Sequence, residues 1–377
     1  MLVVLDMAIT LGNSGLKVSK IILGCMGYGS PEWQPWVLGE EECTKHIKFA
    51  YDMGIQTFDT ANVYSNGQAE VVLGNAIKKL NLPREEIVVM TKIRGAVGKT
   101  VDVSAWDLYL AGPDNVGYVN QHGLSRKHIF AAVKDSLKRL QLDYIDVLQC
   151  HCVDDETPIS ETMEALHDVV KAGLVRYIGM SSCYAWQCKS LIPSYRLCIN
   201  CFHNYAITQN LTPFISMQNQ YNLLYREEER EMMPTLKHFG VGSIPWSPLA
   251  CGALTRPHTR AEKTMRQEKD EMSGDVYLNL SAGNKTVVER VEEIAKKHKA
   301  TMAQISLAWV MSKNEVTAPI VGSSSIDKLK DIIGLSASSS IQTWGLWKTL
   351  GALDVTLSAD DIKYLEEPYT PMNILSH

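Results

Sequence analysis

Four polar side chains with complementary chemistry follow three successive short apolar segments of the chain. Asp59 and Tyr64 come after the first of these segments, Lys92 after the next and His151 after the third. A free tyrosine has a pKa near 10, and a nearby ammonium group lowers that pKa because it stabilises the phenolate. A carboxylate beside the lysine keeps the ammonium charged against the cost of burial. We therefore expect a proton relay that interconverts a carbonyl and an alcohol, with His151 as a polar contact for the oxygen.

Each of these residues also has an ordinary structural interpretation when it is taken alone. Asp59 is compatible with a helix N-cap, Tyr64 with a packing residue at a rim, and His151 with a hydrogen-bonded core histidine. Lys92 is expected to be buried only if it is paired, so its role depends on Asp59. The position of all four at strand ends favours catalysis. Because these side chains supply no hydride, the site requires a redox cofactor.

The segments that carry these residues belong to an alternation of short apolar strands and amphipathic helices. Such strands are typical of a parallel sheet covered on both faces. Eight strands, each followed by a helix, predict a (β/α)8 TIM barrel. The alternative is an open doubly wound sheet, but this chain lacks the G-x-G-x-x-G motif that such a sheet usually carries after its first strand. The predicted strands are 21–23, 55–58, 87–91, 145–149, 175–180, 214–217, 241–245 and 318–321. The predicted helices are 40–53, 68–80, 125–141, 160–172, 226–239, 284–299, 302–313 and 326–333, and residues 185–210 resemble one more helix that is interrupted at 188–205.

The polar residues at the strand ends converge on the C-terminal face of such a barrel, where barrel enzymes build their sites. Long loops at 95–123, 184–212 and 251–283 enlarge that face, and a further long segment lies at 335–348. No linker divides the chain, so we expect a single barrel domain over residues 1–377.

The composition excludes several classes of protein. The chain has 377 residues, of which 45% are hydrophobic and 21% charged, as expected of a globular protein with a large core rather than a disordered chain. A net charge of −5 argues against a nucleic-acid partner. The absence of an apolar run of about 18 residues argues against a membrane span. The N-terminal MLVVLDMAITL is interpreted as a folded edge segment rather than a signal peptide, and nine scattered cysteines favour reduced thiols and a cytoplasmic location.

With these residues in view, the chain resembles the aldo-keto reductase superfamily over nearly its whole length. The motifs that carry the likeness are FDTA at 58–61 with Tyr64, TK at 91–92, LQCH at 148–151, GMSS at 179–182, SMQN at 216–219, WSPL at 246–249 and PIVGS at 319–323. Within the superfamily, the chain is similar to fungal aryl-alcohol-dehydrogenase-like reductases, a group that includes versiconal hemiacetal acetate reductase.

The resemblance implies a barrel that binds NADPH without a Rossmann motif. It implies that Tyr64 is the general acid for carbonyl reduction and that Lys92 tunes its pKa. Asp59 would hold Lys92, and His151 would orient the carbonyl. The implied substrate is a small aldehyde or ketone, with aromatic carbonyls among the candidates.

The resemblance also implies which residues bind the cofactor. Ser181, Ser182 and Gln218 would hold the nicotinamide carboxamide, and Trp246 would stack on the ring. The remaining implied contacts are Ser247, Leu249 and Gly252 at the pyrophosphate, and Gly322, Ser323, Ser324 and Lys328 at the adenosine end. Lys328 would pair with a 2′-phosphate and so favour NADP over NAD. Its alternative interpretation is a solvated helix charge.

The chain departs from the family pattern in three ways. Ile332 stands where relatives often have an asparagine for the adenine, and Cys152-Val153 replaces a basic residue and an aromatic. Residues 188–205 and 335–348 look inserted, and the first of these lacks helical periodicity. One hypothesis is that both are translated introns, because family-like sequence resumes directly on either side. Cys198 and Cys201 form a lone C-x-x-C, which is too few ligands for a structural zinc site, so no metal is predicted.

Two alternatives to an active reductase stay open at this point. A nucleotide-sensing binding subunit would use the same barrel without turnover. A reductase impaired by its two inserts would fail to fold or to close on its cofactor. The presence of all four catalytic-type residues favours chemistry.

Overall fold

The computed structural model describes residues 7–185, 199–260, 265–269, 281–333 and 351–374. A short antiparallel hairpin of β1 (Ala8–Thr10) and β2 (Lys17–Ser19) comes first. Eight parallel strands then form one curled sheet in the order β10-β3-β4-β5-β6-β7-β8-β9. They are β3 (Ile22–Gly24), β4 (Thr57–Asp59), β5 (Val88–Ile93), β6 (Ile145–Cys150), β7 (Val175–Ser181), β8 (Phe214–Gln218), β9 (Gly242–Ser243) and β10 (Ile320–Val321).

Backbone hydrogen bonds also join the two edges of this sheet. The amide of Thr317 donates to the carbonyl of Ser243 at 2.7 Å, and the amide of Ile320 donates to the carbonyl of Pro245 at 2.9 Å. The curled sheet therefore closes, and the predicted (β/α)8 barrel is confirmed. Each predicted strand segment overlaps an observed strand, because continuous apolar runs are what a parallel sheet buried on both faces requires.

Helices follow the strands and cover the outside of the barrel. They are α1 (Glu40–Asp52), α2 (Gln68–Lys79), α3 (Ala105–Ala111), α4 (Arg126–Leu140), α5 (Ile159–Lys171), α6 (Ile199–Thr208), α7 (Met232–Phe239), α8 (Met265–Lys269), α9 (Ala282–His298), α10 (Met302–Met311), α11 (Ile326–Ile333) and α12 (Ala359–Glu366). Serine or threonine side chains cap α4, α9, α10 and α12 at their N-termini, which satisfies amide groups that have no partner within the helix.

The predicted helix 226–239 is wrong in its first half. Only Glu227–Glu229 forms a 3₁₀ turn there, and the α-helix begins at Met232. The physical reason is tertiary, because Glu227 and Glu228 are buried and turned towards other segments. Glu227 accepts hydrogen bonds from the Tyr369 hydroxyl and the Met372 amide. Helices α3, α8 and α12 were not predicted.

The sequence interpretation of residues 188–205 as a segment without helical character is also wrong for its described part. Helix α6 covers Ile199–Thr208, so the expected boundary at residue 205 falls inside a helix. Phe202 and Ala206, four residues apart, are buried in the core, and the Phe202 ring lies 5.9 Å from that of Phe214. The second expected insert, 335–348, lies outside the described residues, as do residues 188–198.

Several apolar clusters hold the barrel together. The largest forms a layer between the sheet and the helices. Another surrounds Trp309 and Tyr221 and packs α9 against α10. A smaller one fills the inside of the barrel and includes Met90, Val147 and Ile244. Leu11 and Val18 of the β1–β2 hairpin belong to this inner layer, so the N-terminal edge segment packs against the barrel interior. Among the described residues, no helix is both long and apolar enough to cross a bilayer.

Candidate active site

The pairing of neighbouring strands places the polar residues at their C-terminal ends side by side. Asp59 ends β4, Lys92 lies opposite Gln149 across β5 and β6, and Ser181 lies opposite Gln218 across β7 and β8. All five side chains are buried. Since parallel strands carry their C-terminal ends to the same face, these groups meet at the predicted end of the barrel.

Lys92 is the centre of the site. Its ammonium donates to Asp59 Oδ2 at 2.6 Å, to the Thr60 carbonyl at 2.9 Å and to the Tyr64 hydroxyl at 3.4 Å. The Lys92 residue is 0% exposed. A buried ammonium with three oxygen acceptors uses its full set of donors. The structure therefore brings together Asp59, Tyr64 and Lys92, as the sequence predicted.

Two glutamines complete the surroundings of Asp59. Asp59 Oδ1 accepts hydrogen bonds from Gln149 Nε2 at 3.0 Å and from Gln218 Nε2 at 2.9 Å, and Gln218 Nε2 also donates to Gln149 Oε1 at 2.9 Å. The sequence analysis did not assign Gln149 to the site. The available signal was its place two residues before His151, which puts both side chains on the same side of the strand.

A strained turn presents Tyr64. The 3₁₀ turn Tyr64–Gly67 contains Ser65 and Asn66 at φ values of 51° and 49°, which only a minority of non-glycine residues adopt. Ser65 Oγ accepts the amide hydrogen of Ser30 at 2.9 Å. Gly29 lies against this turn, where an added Cβ would come within 2.5 Å of Ser65 Oγ. Loop contacts therefore hold a strained backbone next to Tyr64, as is common at functional sites.

The side chain of Asn66 ties the same turn to the long loop after β5. Asn66 Nδ2 donates to the carbonyls of Thr100, Val101 and Val103 at 3.0, 3.0 and 2.7 Å, and Asn66 Oδ1 accepts from the Gly98 amide at 2.9 Å. The loop 95–123 is thus part of the frame that supports Tyr64.

His151 faces Tyr64. Their ring centroids are 5.7 Å apart and the rings are nearly perpendicular. Burial, and then the charges of Lys92 and Arg94, lower the pKa of His151 to about 3. The imidazole is therefore neutral near pH 7, with one nitrogen as donor and the other as acceptor.

The net shift of the Tyr64 pKa differs from the expectation. Burial raises the pKa of Tyr64, and this effect outweighs the lowering by Lys92, so the pKa lies above the ordinary value. Lys92 acts in the predicted direction, but the prediction left out the cost of placing a phenolate in a buried site. Burial also lowers the pKa of Lys92, but Asp59 and Tyr64 outweigh it and the net pKa is raised.

The residues expected at the nicotinamide end lie directly beside this cluster. Ser181 Oγ donates to the Gln218 carbonyl at 2.7 Å, and the Ser182 amide donates to Asn219 Oδ1 at 2.9 Å. Ser182 has a left-handed backbone, at φ 46°. Asn219, which sequence reasoning did not single out, also donates to Glu228 and so links this end of the site to the turn before α7.

The segment expected at the pyrophosphate follows β9. The amide of Trp246 donates to the Asn219 carbonyl at 3.0 Å, which keeps Trp246 next to the end of β8. Ser247, Leu249 and Gly252 lie on the following turn. Left-handed φ values recur along this turn, at 51° for Ser247 and 96° for Gly252, so its backbone is tightly folded.

The residues expected at the adenosine end lie between β10 and α11. Gly322 and Ser324 are exposed and Ser323 is half-buried. Lys328 Nζ donates to Ser324 Oγ at 2.8 Å. Partial burial and the nearby charge of Arg256 lower the pKa of Lys328, so a second cation accompanies it that the sequence analysis missed. Ile332 is 4% exposed and packs in the core, so it offers no polar contact there.

Comparison with known proteins agrees with this geometry. Residues 20–350 match the Aldo/keto reductase family. The chain belongs to this family and is an oxidoreductase, so the resemblance drawn from the sequence is confirmed. Members of the family typically use a nicotinamide dinucleotide and act on small carbonyl compounds.

Relatives of similar length come from fungi. A Schizosaccharomyces pombe protein provisionally named an aryl-alcohol dehydrogenase is 47% identical over 369 residues, covering 97% of this chain and 96% of its own. Versiconal hemiacetal acetate reductase of Aspergillus parasiticus is 46% identical over 367 residues, covering 97% of each chain. A Saccharomyces cerevisiae protein, also provisionally named an aryl-alcohol dehydrogenase, is 42% identical over 370 residues and covers 98% of each.

Proposed function

We propose that this protein reduces an aldehyde or ketone to the alcohol with NADPH, and that Tyr64 is the proton donor. The observation that carries the proposal is the position of the Lys92 ammonium, which lies 2.6 Å from Asp59 Oδ2 and 3.4 Å from the Tyr64 hydroxyl. A carboxylate, an ammonium and a phenol in this order form a relay that ends at one proton-donating oxygen.

The raised pKa of Tyr64 supports the direction of the reaction. A phenol that keeps its proton near pH 7 is a proton donor, as carbonyl reduction requires. When the proton leaves the Tyr64 oxygen for the substrate oxygen, a phenolate forms 3.4 Å from the ammonium of Lys92. The charge that develops in the transition state is therefore stabilised by a cation that is already in place.

Asp59 and His151 have supporting roles in this proposal. Asp59 keeps Lys92 charged and oriented, and the two glutamine amides on Asp59 Oδ1 hold the carboxylate itself. His151, neutral and next to the Tyr64 ring, offers a ring nitrogen as a donor to the substrate carbonyl oxygen. Two donors at one oxygen fix its position for proton transfer.

The chemistry of the surrounding groups fits a nicotinamide dinucleotide. Both hydrogens of the Gln218 amide are used within the protein, at Asp59 and Gln149, so its Oε1 is the atom suited to accept from a carboxamide. When bound, the dinucleotide supplies the hydride. Ser181 and Ser182 would hold the same carboxamide, and Trp246 would pack on the ring.

The other end of the dinucleotide would lie along the two following segments. Ser247, Leu249 and Gly252 would contact the pyrophosphate, and Gly322, Ser323 and Ser324 the adenosine. Lys328, with Arg256 close enough to lower its pKa, supplies positive charge for a 2′-phosphate. This charge supports NADPH over NADH. Two fungal relatives are named as aryl-alcohol dehydrogenases, which supports aryl aldehydes as the substrates to test first.

The test is Tyr64→Phe, measured as NADPH oxidation with benzaldehyde and separately as NADPH binding. We expect kcat to fall by about 10²-fold or more, because the proton donor is lost, while NADPH binding stays within about threefold. Tyr109→Phe is the matched control, since Tyr109 is 58% exposed. A Tyr64→Phe protein with normal turnover would refute the proposal.

Two further outcomes decide between the alternatives. NADPH binding by the wild type without turnover of any aldehyde would favour a nucleotide-sensing subunit. A wild-type melting temperature that NADPH leaves unchanged would indicate an impaired reductase, because a ligand that binds only the folded state raises it.

A further inference from the structure

Arg94 is a cation at the edge of the site that the proposed reaction does not use. It follows β5, two residues beyond Lys92, and has a φ of 149°. Two loops hold it in place. The Arg94 carbonyl accepts from the Gly123 amide at 2.8 Å, and Arg94 Nε donates to the Val153 carbonyl at 2.9 Å. A strained residue pinned from two sides is a feature of functional sites.

The segment that contains Arg94 lies between the loops of the two residues closest to the substrate oxygen. On one side, Val153 is two residues past His151. On the other side, the Gly95 carbonyl accepts from Asn62 Nδ2 at 3.3 Å, within the loop that leads to Tyr64. These two contacts place Arg94 between the segment that carries His151 and the segment that carries Tyr64, and its charge helps to lower the pKa of His151.

The guanidinium of Arg94 has unused hydrogen-bonding capacity. Only its Nε has a partner, and over the described ranges no carboxylate forms an ion pair with it. The charge of Arg94 helps to lower the pKa of the Asp154 carboxyl. The oxygens of Asp154, however, accept hydrogen bonds from the Leu124 amide, the Glu156 amide and the Thr157 hydroxyl. The two terminal nitrogens of Arg94, a planar fork of four N–H groups, are thus available to a ligand.

The charge balance of the site points to the kind of ligand. Asp59 and Lys92 neutralise each other at 2.6 Å, and His151 is neutral, so Arg94 is the cation at this edge of the site that forms no ion pair in the described residues. The carboxylate of Asp154 offsets part of this charge from a distance, because its oxygens are held by other donors. A planar guanidinium pairs with a carboxylate through two parallel hydrogen bonds, which adds geometric specificity. A neutral substrate would leave this capacity unused.

We propose that Arg94 binds a carboxylate on the substrate and makes the enzyme selective for carbonyl compounds that carry one. The proposal rests on the proposed carbonyl reduction and adds a substrate class to it. Carboxyl-substituted aromatic aldehydes are the members of this class to test first.

The experiment compares 4-carboxybenzaldehyde with its methyl ester, which has nearly the same shape but no charge. We expect the wild type to prefer the acid in kcat/KM. Arg94→Gln should lower kcat/KM for the acid by about 10–100-fold, the loss expected for a charge-assisted pair. The same variant should change kcat/KM for the ester by less than about threefold. Arg94→Lys keeps the charge but not the planar fork of N–H groups, so its kcat/KM for the acid should lie between the values of the wild type and Arg94→Gln. Arg176→Gln is the matched control, because Arg176 lies at the opposite end of β7 and bonds the Gly173 carbonyl.

Each other outcome has a distinct meaning. Equal losses for acid and ester in Arg94→Gln would show that Arg94 only supports the loop at Val153, and would overturn the inference. Equal wild-type kcat/KM for the two substrates would also overturn it, while carbonyl reduction itself would stand. Turnover of benzaldehyde but of neither of these two substrates would overturn this inference alone, whereas failure with all three would overturn the proposed function as well.

Discussion

Replacing Lys92 by methionine tests the buried ion pair on which the site depends. Methionine has a similar length and no charge, so Lys92→Met empties little space in a position that is 0% exposed. The Asp59 carboxylate loses the ammonium 2.6 Å away but keeps the amide hydrogen bonds from Gln149 and Gln218. The variant therefore leaves one buried charge partly, not fully, uncompensated.

The structure sets the size of the expected effect. Removing one partner of a buried ion pair costs about 3–5 kcal/mol, and we expect the low end, about 3 kcal/mol, because two amides still solvate the carboxylate. A second change, Asp59→Asn, removes the stranded charge while its carbonyl oxygen can still accept from the amides. The double variant should therefore be more stable than Lys92→Met alone by about 1–2 kcal/mol.

The assay is urea unfolding of the wild type, both single variants and the double variant, with NADPH oxidation measured in parallel. Lys92→Met should lower kcat by about 10²–10⁴-fold, since the relay to Tyr64 is broken. Restored stability in the double variant should not restore turnover. A Lys92→Met protein within about 1 kcal/mol of the wild type, or a double variant less stable than Lys92→Met, would refute the reasoning.

Three further predictions concern groups around the same site. First, unfolding frees the buried neutral His151 to bind a proton, so its contribution to stability is present above about pH 6.5 and is lost as the pH falls towards about 3; His151→Gln should flatten the acid limb of urea stability by up to about 1.4 kcal/mol per pH unit. Second, Gly67→Ala should cost about 1–3 kcal/mol in thermal unfolding and lower kcat, because φ is 88° and the new Cβ would lie 2.7 Å from Arg139 Cδ beneath the turn that holds Tyr64. Third, Glu70→Gln should lower the free energy of unfolding in urea by about 2–3 kcal/mol. The buried Glu70 carboxylate accepts from Arg139 Nε at 2.7 Å and from the Thr91 hydroxyl at 2.6 Å.

Each of these predictions has its own check. An unchanged acid limb in His151→Gln would assign the acid sensitivity to other groups. Gly15→Ala is the control for Gly67→Ala, because Gly15 has no left-handed φ and no atom within 4 Å of an added Cβ. Glu70→Gln with wild-type stability would mean that the carboxylate of Glu70 contributes nothing beyond a neutral acceptor.

Much of the fold was predictable because the relevant signals are local. Short apolar runs between amphipathic helices are the direct consequence of a parallel sheet covered on both faces. Segments with a weaker signal were predicted less well. A helix was expected around 185–210 with an interruption at 188–205, but helix α6 extends into that interruption, because Phe202 and Ala206 pack on the barrel. The break before α7 comes from Glu227 turning towards Tyr369, more than a hundred residues away.

The amino-acid sequence by itself determined which side chains could meet at the site, because residues that end parallel strands share one face of a barrel. Asp59, Tyr64, Lys92 and His151 were identifiable on that ground. Only the tertiary structure decided how these groups behave. The two amides on Asp59 come from distant strands, and burial, which no short segment specifies, sets the direction of the Tyr64 pKa shift. The unpaired fork of Arg94 likewise depends on loops that meet only when the barrel closes.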